Sequence, residues 1–287
     1  MLQATIKYPV SCYGIGVHSG QTVQMTFKPA KSNDGIVFVR TDISSGDNFV
    51  KASFDNVTET TLSTTISAPN KTFSISTIEH LMAAIWGSGV DNLIIEIDGP
   101  EVPIMDGSSK PFVFMLECAQ KKHLPETRKL IKIHKEIYIE NGSGGVSVVS
   151  PADKFSISLD IDFPSKAIGK QSIKYDNKEL FGSEIASART FGFVGELEYL
   201  RSIGLAKGAS LDNAIGLDQD TILNHDGLRY NDEFVRHKLL DALGDFSLAS
   251  CDIIGSFSCT KPGHAMNNQL LRKIFADPSN FSLVDSN

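Results

Sequence analysis

Three histidines and three carboxylates sit in patterns that could do chemistry. In Val235–Phe246, His237, Asp241 and Asp245 fall at four-residue steps. On an α-helix such positions stack along one face. An imidazole and a carboxylate one turn apart can grip a single metal ion. Ser76-Thr77-Ile78-Glu79-His80 sets another carboxylate beside another imidazole at the start of a second expected helix. Lys261-Pro262-Gly263-His264 offers a histidine in a turn, where Gly263 gives the backbone freedom to aim it. A catalytic zinc usually takes three protein ligands and leaves one position for water. His237 and Asp241 would supply two of them, and His80 is the candidate third. The parts of a zinc hydrolase are present.

Each part also has an ordinary explanation. A lone His-x-x-x-Asp on a helix is commonly a surface or capping pair. Ser76-x-x-Glu79 fits a capping box, in which Glu79 would bond the Ser76 N–H. As a general base, Glu79 would instead take a proton from metal-bound water. The residues leave both readings open. His264 could be a solvent-exposed turn histidine, or a general acid whose charge is favoured by Asp245.

The elements that must position these groups are legible in outline. Residues 1 to about 66 read as β-rich, with strands such as Val23–Phe27 and Gly35–Val39. Glu79–Trp86 reads as a helix ended by Gly87-Ser88-Gly89, and Asn92–Ile97 as the strand after it. Asp106-Gly107-Ser108-Ser109 is expected to cap a second helix running to about Gln120. The polar stretch Gln120–Lys129 is the expected boundary between domains 1–125 and 126–287. Beyond it, strands are expected at 130–140, 146–150 and 155–163, then mixed signals over 185–215. Helix 232–249, strand 252–259 and a last helix from Asn267 to Phe275 complete the order. Glu79–Ile85 followed by a strand echoes Arg236–Ala242 followed by a strand, which suggests a duplicated unit.

Composition narrows the class. The chain has 287 residues, 41% hydrophobic and 21% charged, enough for a real core. Its net charge of −7 argues against a nucleic-acid partner, which needs a basic face. The four cysteines form no C-x-x-C pair, which suits a reducing compartment. Met1–Lys7 lacks the apolar run of a signal peptide, so a cytoplasmic location is expected, without stable membrane insertion. No P-loop is present, which disfavours a phosphate-transferring protein.

Several long stretches carry a resemblance. They are Gly14–Gly20, Thr77–Ala84, Asp91-Asn92-Leu93, Pro103–Ser108, Arg229–Asp245 and Gly263–Asn268. Together they are similar to the UDP-3-O-acyl-N-acetylglucosamine deacetylases, zinc enzymes of bacterial lipid A synthesis. The resemblance spans about Ile6 to Phe275. It implies an α+β fold of two similar β-α sandwich domains with helices packed between two sheets. It implies zinc (Zn2+) on His80, His237 and Asp241, Glu79 as general base, His264 as general acid and Asp245 as its orienting carboxylate. Iron(II) tolerates the same ligand set. Lys238 and Thr190 match residues that hold substrate and oxyanion, Phe191 a ring beside the glucosamine, and Lys261 a basic contact to the nucleotide phosphates. Segment 191–215, including Leu197, matches a fatty-acyl tunnel insert, and Leu62 and Ser63 lie in the insert of the other half. Position 63 is Ser where some members carry Cys. His18 falls in a family-like motif.

The implied reaction is hydrolysis of the N-acetyl amide of an acylated UDP-sugar, the small-molecule partner, by a monomer. Its rivals are another zinc amidohydrolase, which would not require the UDP and acyl parts, and a non-catalytic sugar-nucleotide binding module, which would need no metal.

Overall fold

In Thr22–Pro29, Val23, Met25 and Phe27 alternate with Gln24, Thr26 and Lys28, and the apolar three are buried. That period of two makes one face of a strand a core face. A computed structural model describes residues 1–44 and 46–286. In it this strand joins a five-stranded sheet ordered Val10–Ile15, Thr22–Pro29, Leu93–Ile97, Ile36–Arg40, Phe49–Lys51. Only Ile36–Arg40 and Leu93–Ile97 run parallel.

A second five-stranded sheet repeats this plan. Its order is Ile137–Glu140, Val146–Ser150, Ser256–Thr260, Ser156–Asp162, Lys170–Tyr175. Again one pair is parallel, Ser156–Asp162 with Ser256–Thr260. In each sheet the central strand arrives last, after a helix: α1 (Glu79–Gly87) before Leu93–Ile97, and α4 (Glu233–Ser247) before Ser256–Thr260. The helix-then-strand echo in the sequence therefore corresponds to the same topological step.

Both helices are buried nearly all round. Every residue of α1 from Glu79 to Ile85 is buried, and so are twelve residues of α4. A helix without a wet face belongs between layers. The core accordingly draws Phe27 and Phe38 from the first sheet, Leu159 and Phe257 from the second, and Leu81, Leu239 and Leu243 from the helices. The architecture is the expected α+β sandwich. α1 and α4 pack against each other at Gly244. A Cβ there would stand 2.1 Å from the Glu79 carbonyl oxygen, so only glycine allows the approach. The remaining helices are α2 (Lys110–Cys118), the short α3 (Leu197–Ser202) and α5 (His264–Phe275). Among the described residues no helix is long and apolar enough to cross a membrane.

Several local expectations differ. Most of the stretch expected as a domain boundary, 120–129, is strand: Lys121–Thr127 pairs antiparallel with Leu2–Ile6. Its side chains are mostly exposed, so it carries the polar composition of a loop. The single strand expected over 130–140 is two, Lys129–Ile133 and Ile137–Glu140, because they serve different sheets. Strand 252–259 likewise breaks at Gly255. The last helix starts at His264, three residues before the expected Asn267. Asp106 does not cap α2. Its carboxylate accepts the Ser108 N–H at 3.0 Å and pairs with Arg229 at 2.9 Å. The mixed segment resolves into strand Phe191–Phe193, a short helical turn, α3, and strand Ile215–Asp218 laid parallel to the first.

Candidate active site

The line of polar residues on α4 meets the start of α1 inside the sandwich. His80 Nε2 lies 3.5 Å from Asp241 Oδ1, and His237 Nε2 lies 3.4 Å from the same oxygen. One ligand atom from each of the three side chains falls within 4.8 Å of the others, and all three residues are buried. Asp241 Oδ1 is buried without a hydrogen-bond donor. A bare carboxylate oxygen in that setting is costly unless a cation completes it. The two imidazoles that face it offer nitrogens, and the donor set of two imidazoles and a carboxylate fits a divalent transition ion. His237 Nδ1 lies 3.1 Å from the Ala188 carbonyl, which fixes the ring and turns Nε2 toward the cluster.

The ionisation states suit that use. Burial lowers the His237 pKa to about 3, so its ring is neutral and free to ligate. Burial alone would raise the Asp241 carboxyl, but His237, Lys238 and His80 hold it well below the ordinary range. Lys238 Nζ donates to Asp241 Oδ2 at 2.7 Å, and Asp241 in turn raises the lysine above its usual value despite burial.

An acid–base pair flanks the cluster. Glu79 Oε1 and His264 Nε2 are 3.9 Å apart. Burial raises the Glu79 pKa, partly opposed by His264 and His80. His264 Nδ1 sits 2.8 Å from Asp245 Oδ2, and both residues are buried. Burial alone would lower the His264 pKa. Asp245 and Glu79 outweigh it and raise the value to about 9. Glu79 and His264 thus face each other as a carboxyl and an imidazole, next to three side chains that could hold a metal ion.

The sequence comparisons fall on this geometry. The model of the family described as UDP-3-O-acyl N-acetylglycosamine deacetylase (LpxC) matches residues 3–276. The chain belongs to that family. It is 44% identical to the UDP-3-O-acyl-N-acetylglucosamine deacetylase of Myxococcus xanthus (strain DK1622), over 98% of this chain and 89% of that protein. It is equally, 44%, identical to the protein of the same name from Haemophilus influenzae (strain 86-028NP), over 98% of this chain and 92% of that one.

The family resemblance pointed to further positions. Phe191 packs edge-on against His237, with ring centroids 6.1 Å apart, and Lys238 Nζ stands 5.9 Å over the Phe191 ring. Thr190 precedes it, held by its N–H to the Gly107 carbonyl at 2.8 Å and by its carbonyl to the Ile215 N–H at 2.7 Å. Leu62 is 51% exposed, with a left-handed backbone (φ 61°), and the neighbouring Ser63 is buried. Leu197 opens α3 and is half-buried. Lys261 lies on the surface, 3.1 Å from Asp162, one turn before His264.

The capping box does not form. The Ser76 N–H is already donated to the Pro100 carbonyl at 2.9 Å, and Glu79 Oε2 accepts the Thr64 N–H at 2.9 Å instead. Glu79 is therefore aimed into the site rather than spent on the helix end. Two supporting residues escaped the sequence reading. Thr64 also donates its hydroxyl to Asp245 Oδ1 at 2.6 Å, and Asn267 Nδ2 donates to Asp245 Oδ2 at 2.8 Å. Asn267 carried a signal, since His264 and Asn267 are three apart on one helix and so share a face. Thr64 carried none, because its partner is 181 residues away.

Proposed function

We propose that the chain removes the N-acetyl group of UDP-3-O-acyl-N-acetylglucosamine, releasing acetate and the free amine, with zinc held by His80, His237 and Asp241. The observation that carries this is the buried, undonated Asp241 Oδ1 facing two imidazoles beside the Glu79–His264 pair. Family membership supports the substrate. The nucleotide-sugar substrate supports a cytoplasmic location.

An amide resists hydrolysis because resonance stabilises it and the amine leaves badly. A bound zinc ion supplies Lewis acidity, which polarises a carbonyl and acidifies water. The chain supplies the proton movements. Glu79, ionised, takes the proton from the attacking water at its carboxylate. His264, charged through Asp245, donates its Nε2 proton to the departing nitrogen, so an amine rather than an amide anion leaves. In this reading Thr190 supplies a hydroxyl and Lys238 an ammonium to hold the carbonyl oxygen as it gains charge. Phe191 offers a face to the sugar, and Lys261 a cation to the diphosphate. Leu62, Leu197 and their apolar neighbours would cover the acyl chain, each buried methylene contributing about 0.8 kcal/mol.

The test is acetate release from the acylated UDP-sugar by zinc-loaded protein. Turnover that vanishes with a chelator, returns with zinc, and falls steeply in Glu79→Gln is the expected result. Equal turnover on a sugar lacking the acyl and UDP groups would assign a different amidohydrolase, and no acetate at all would end the reading.

A further inference from the structure

Thr77 stands two residues before Glu79 with φ at +58°. A β-branched residue in the left-handed region is an outlier that persists only when its surroundings over-determine it. Here the surroundings converge on one buried carboxylate. Glu101 Oε1 accepts the Thr77 hydroxyl at 3.0 Å, and Ser76 pairs with Glu101 in a single parallel β-bridge. The Val102 N–H adds a bond to the Ser76 carbonyl at 3.0 Å. This strained corner sets the direction in which α1 leaves, and so where Glu79 and His80 point.

The same carboxylate holds a second segment. Oε1 also accepts the His18 N–H at 2.8 Å, and Oε2 accepts the Ser19 N–H at 2.7 Å. A Cβ on Gly16 would lie 2.2 Å from Oε2, so the loop reaches Glu101 only as glycine. The loop in turn carries the insert. The Lys207 N–H donates to the His18 carbonyl at 3.2 Å, and the Gly208 N–H to the Val17 carbonyl at 3.0 Å.

We propose that Glu101 is a positioning residue: its one carboxylate locks the Thr77 corner that aims Glu79 and His80, and ties that corner through loop 16–20 to the 206–208 turn of the acyl-side insert. This rests on the deacetylase reading above. Glu101 touches neither Glu79 nor a ligand atom, and acts on both ends of the substrate through backbone. The two arms separate kinetically. The Thr77 arm governs kcat, because a small misplacement of the base slows chemistry. The loop arm governs KM for the acylated substrate.

The experiment measures kcat, KM and amide hydrogen exchange in the zinc-loaded protein. Glu101→Ala is expected to lower kcat by about 100-fold, the scale of an ångström-sized misplacement, to raise KM, and to speed exchange at His18 and Ser19. Adding Thr77→Gly to Glu101→Ala should recover about tenfold in kcat, since glycine takes the left-handed corner without strain, while KM stays raised. Glu101→Gln keeps an oxygen for Thr77 and His18 and turns its amide toward the Ser19 N–H. It should preserve kcat, raise KM and expose the Ser19 amide, and it serves if the alanine variant does not fold. A folded Glu101→Ala protein with unchanged kcat and protection overturns the proposal. So does a double variant whose kcat and KM recover together or not at all. If wild-type protein releases no acetate, the deacetylase reading fails, and exchange at His18 and Ser19 still decides whether Glu101 is the clamp.

Discussion

At the scale of single residues the site is a problem in keeping opposite charges where water is scarce. His264 is buried, which disfavours its charge, yet Asp245 and Glu79 raise its pKa from 6.5 to about 9. The folded protein therefore binds this proton more tightly than the unfolded chain. The resulting stability is fully present below about pH 6.5 and is lost as pH rises through about 9. In the proposed mechanism activity follows the same proton, because the acid must carry it. We expect kcat/KM to fall as pH rises through about 9. In Asp245→Asn the falling limb should move toward neutrality, since the main opposing charge to burial is gone. A pH–rate profile measures this directly. A limb that stays in place in Asp245→Asn would take the acid role away from His264.

At the scale of elements, helix periodicity made part of the site readable and tertiary contact hid the rest. His237, Asp241 and Asp245 were visible because four-residue spacing alone puts them on one line of α4. The adjacency of Glu79 and His80 was visible too, but the sequence could not choose between a cap and a base. That choice depended on Pro100, whose carbonyl takes the Ser76 N–H, and on Thr64, whose N–H turns Glu79 inward. Glu101 stayed hidden for the same reason: it recruits His18, Ser19 and Thr77 across the fold. Gly244 is the sharpest case of a residue whose meaning is tertiary. On an exposed helix, Gly→Ala gains about 1 kcal/mol. Here the added Cβ would meet the Glu79 carbonyl oxygen at 2.1 Å and the Ala83 nitrogen at 3.2 Å, both backbone atoms that do not swing aside. Gly244→Ala is therefore expected to cost about 1–3 kcal/mol, the range for overpacking, and to lower kcat because α1 carries Glu79 away from α4. Urea unfolding and a turnover assay test both signs. A stabilised, fully active variant would show that the helices do not pack as closely as drawn.

At the scale of the whole molecule, duplication organises the fold. The two five-stranded sheets share order and direction, and each goes with one buried helix that carries candidate site residues to the middle. We propose the repeat as the basis for two units, 1–125 and 126–287, although strand Lys121–Thr127 crosses that point. The repeat order was legible from strand and helix signals; the contacts between units, the α1–α4 packing and the charges beside it, were not, because their partners are distant in sequence. Arg128 pairs with Asp91 of the first unit at 2.8 Å and with Asp252 of the second at 3.4 Å. Lys178 adds a 2.7 Å contact to Asp252 and lies over Trp86, a residue of α1, at 4.6 Å from the ring centre. None of these groups belongs to the His80–His237–Asp241 cluster. Removing Arg128 leaves two part-buried carboxylates without the one cation that pairs with both. Breaking a fully buried pair costs about 3–5 kcal/mol; these carboxylates keep some water, so Arg128→Ala should lose about 1–3 kcal/mol, a typical range for a damaging substitution. Because the lost contacts tie the units together outside the shared apolar core, the loss should also lower the cooperativity of urea unfolding, read as a reduced m-value. Zinc content and kcat should stay near wild type. An Arg128→Ala protein that keeps its stability, or that loses activity in proportion to stability, would show that these charges do not help hold the two halves together.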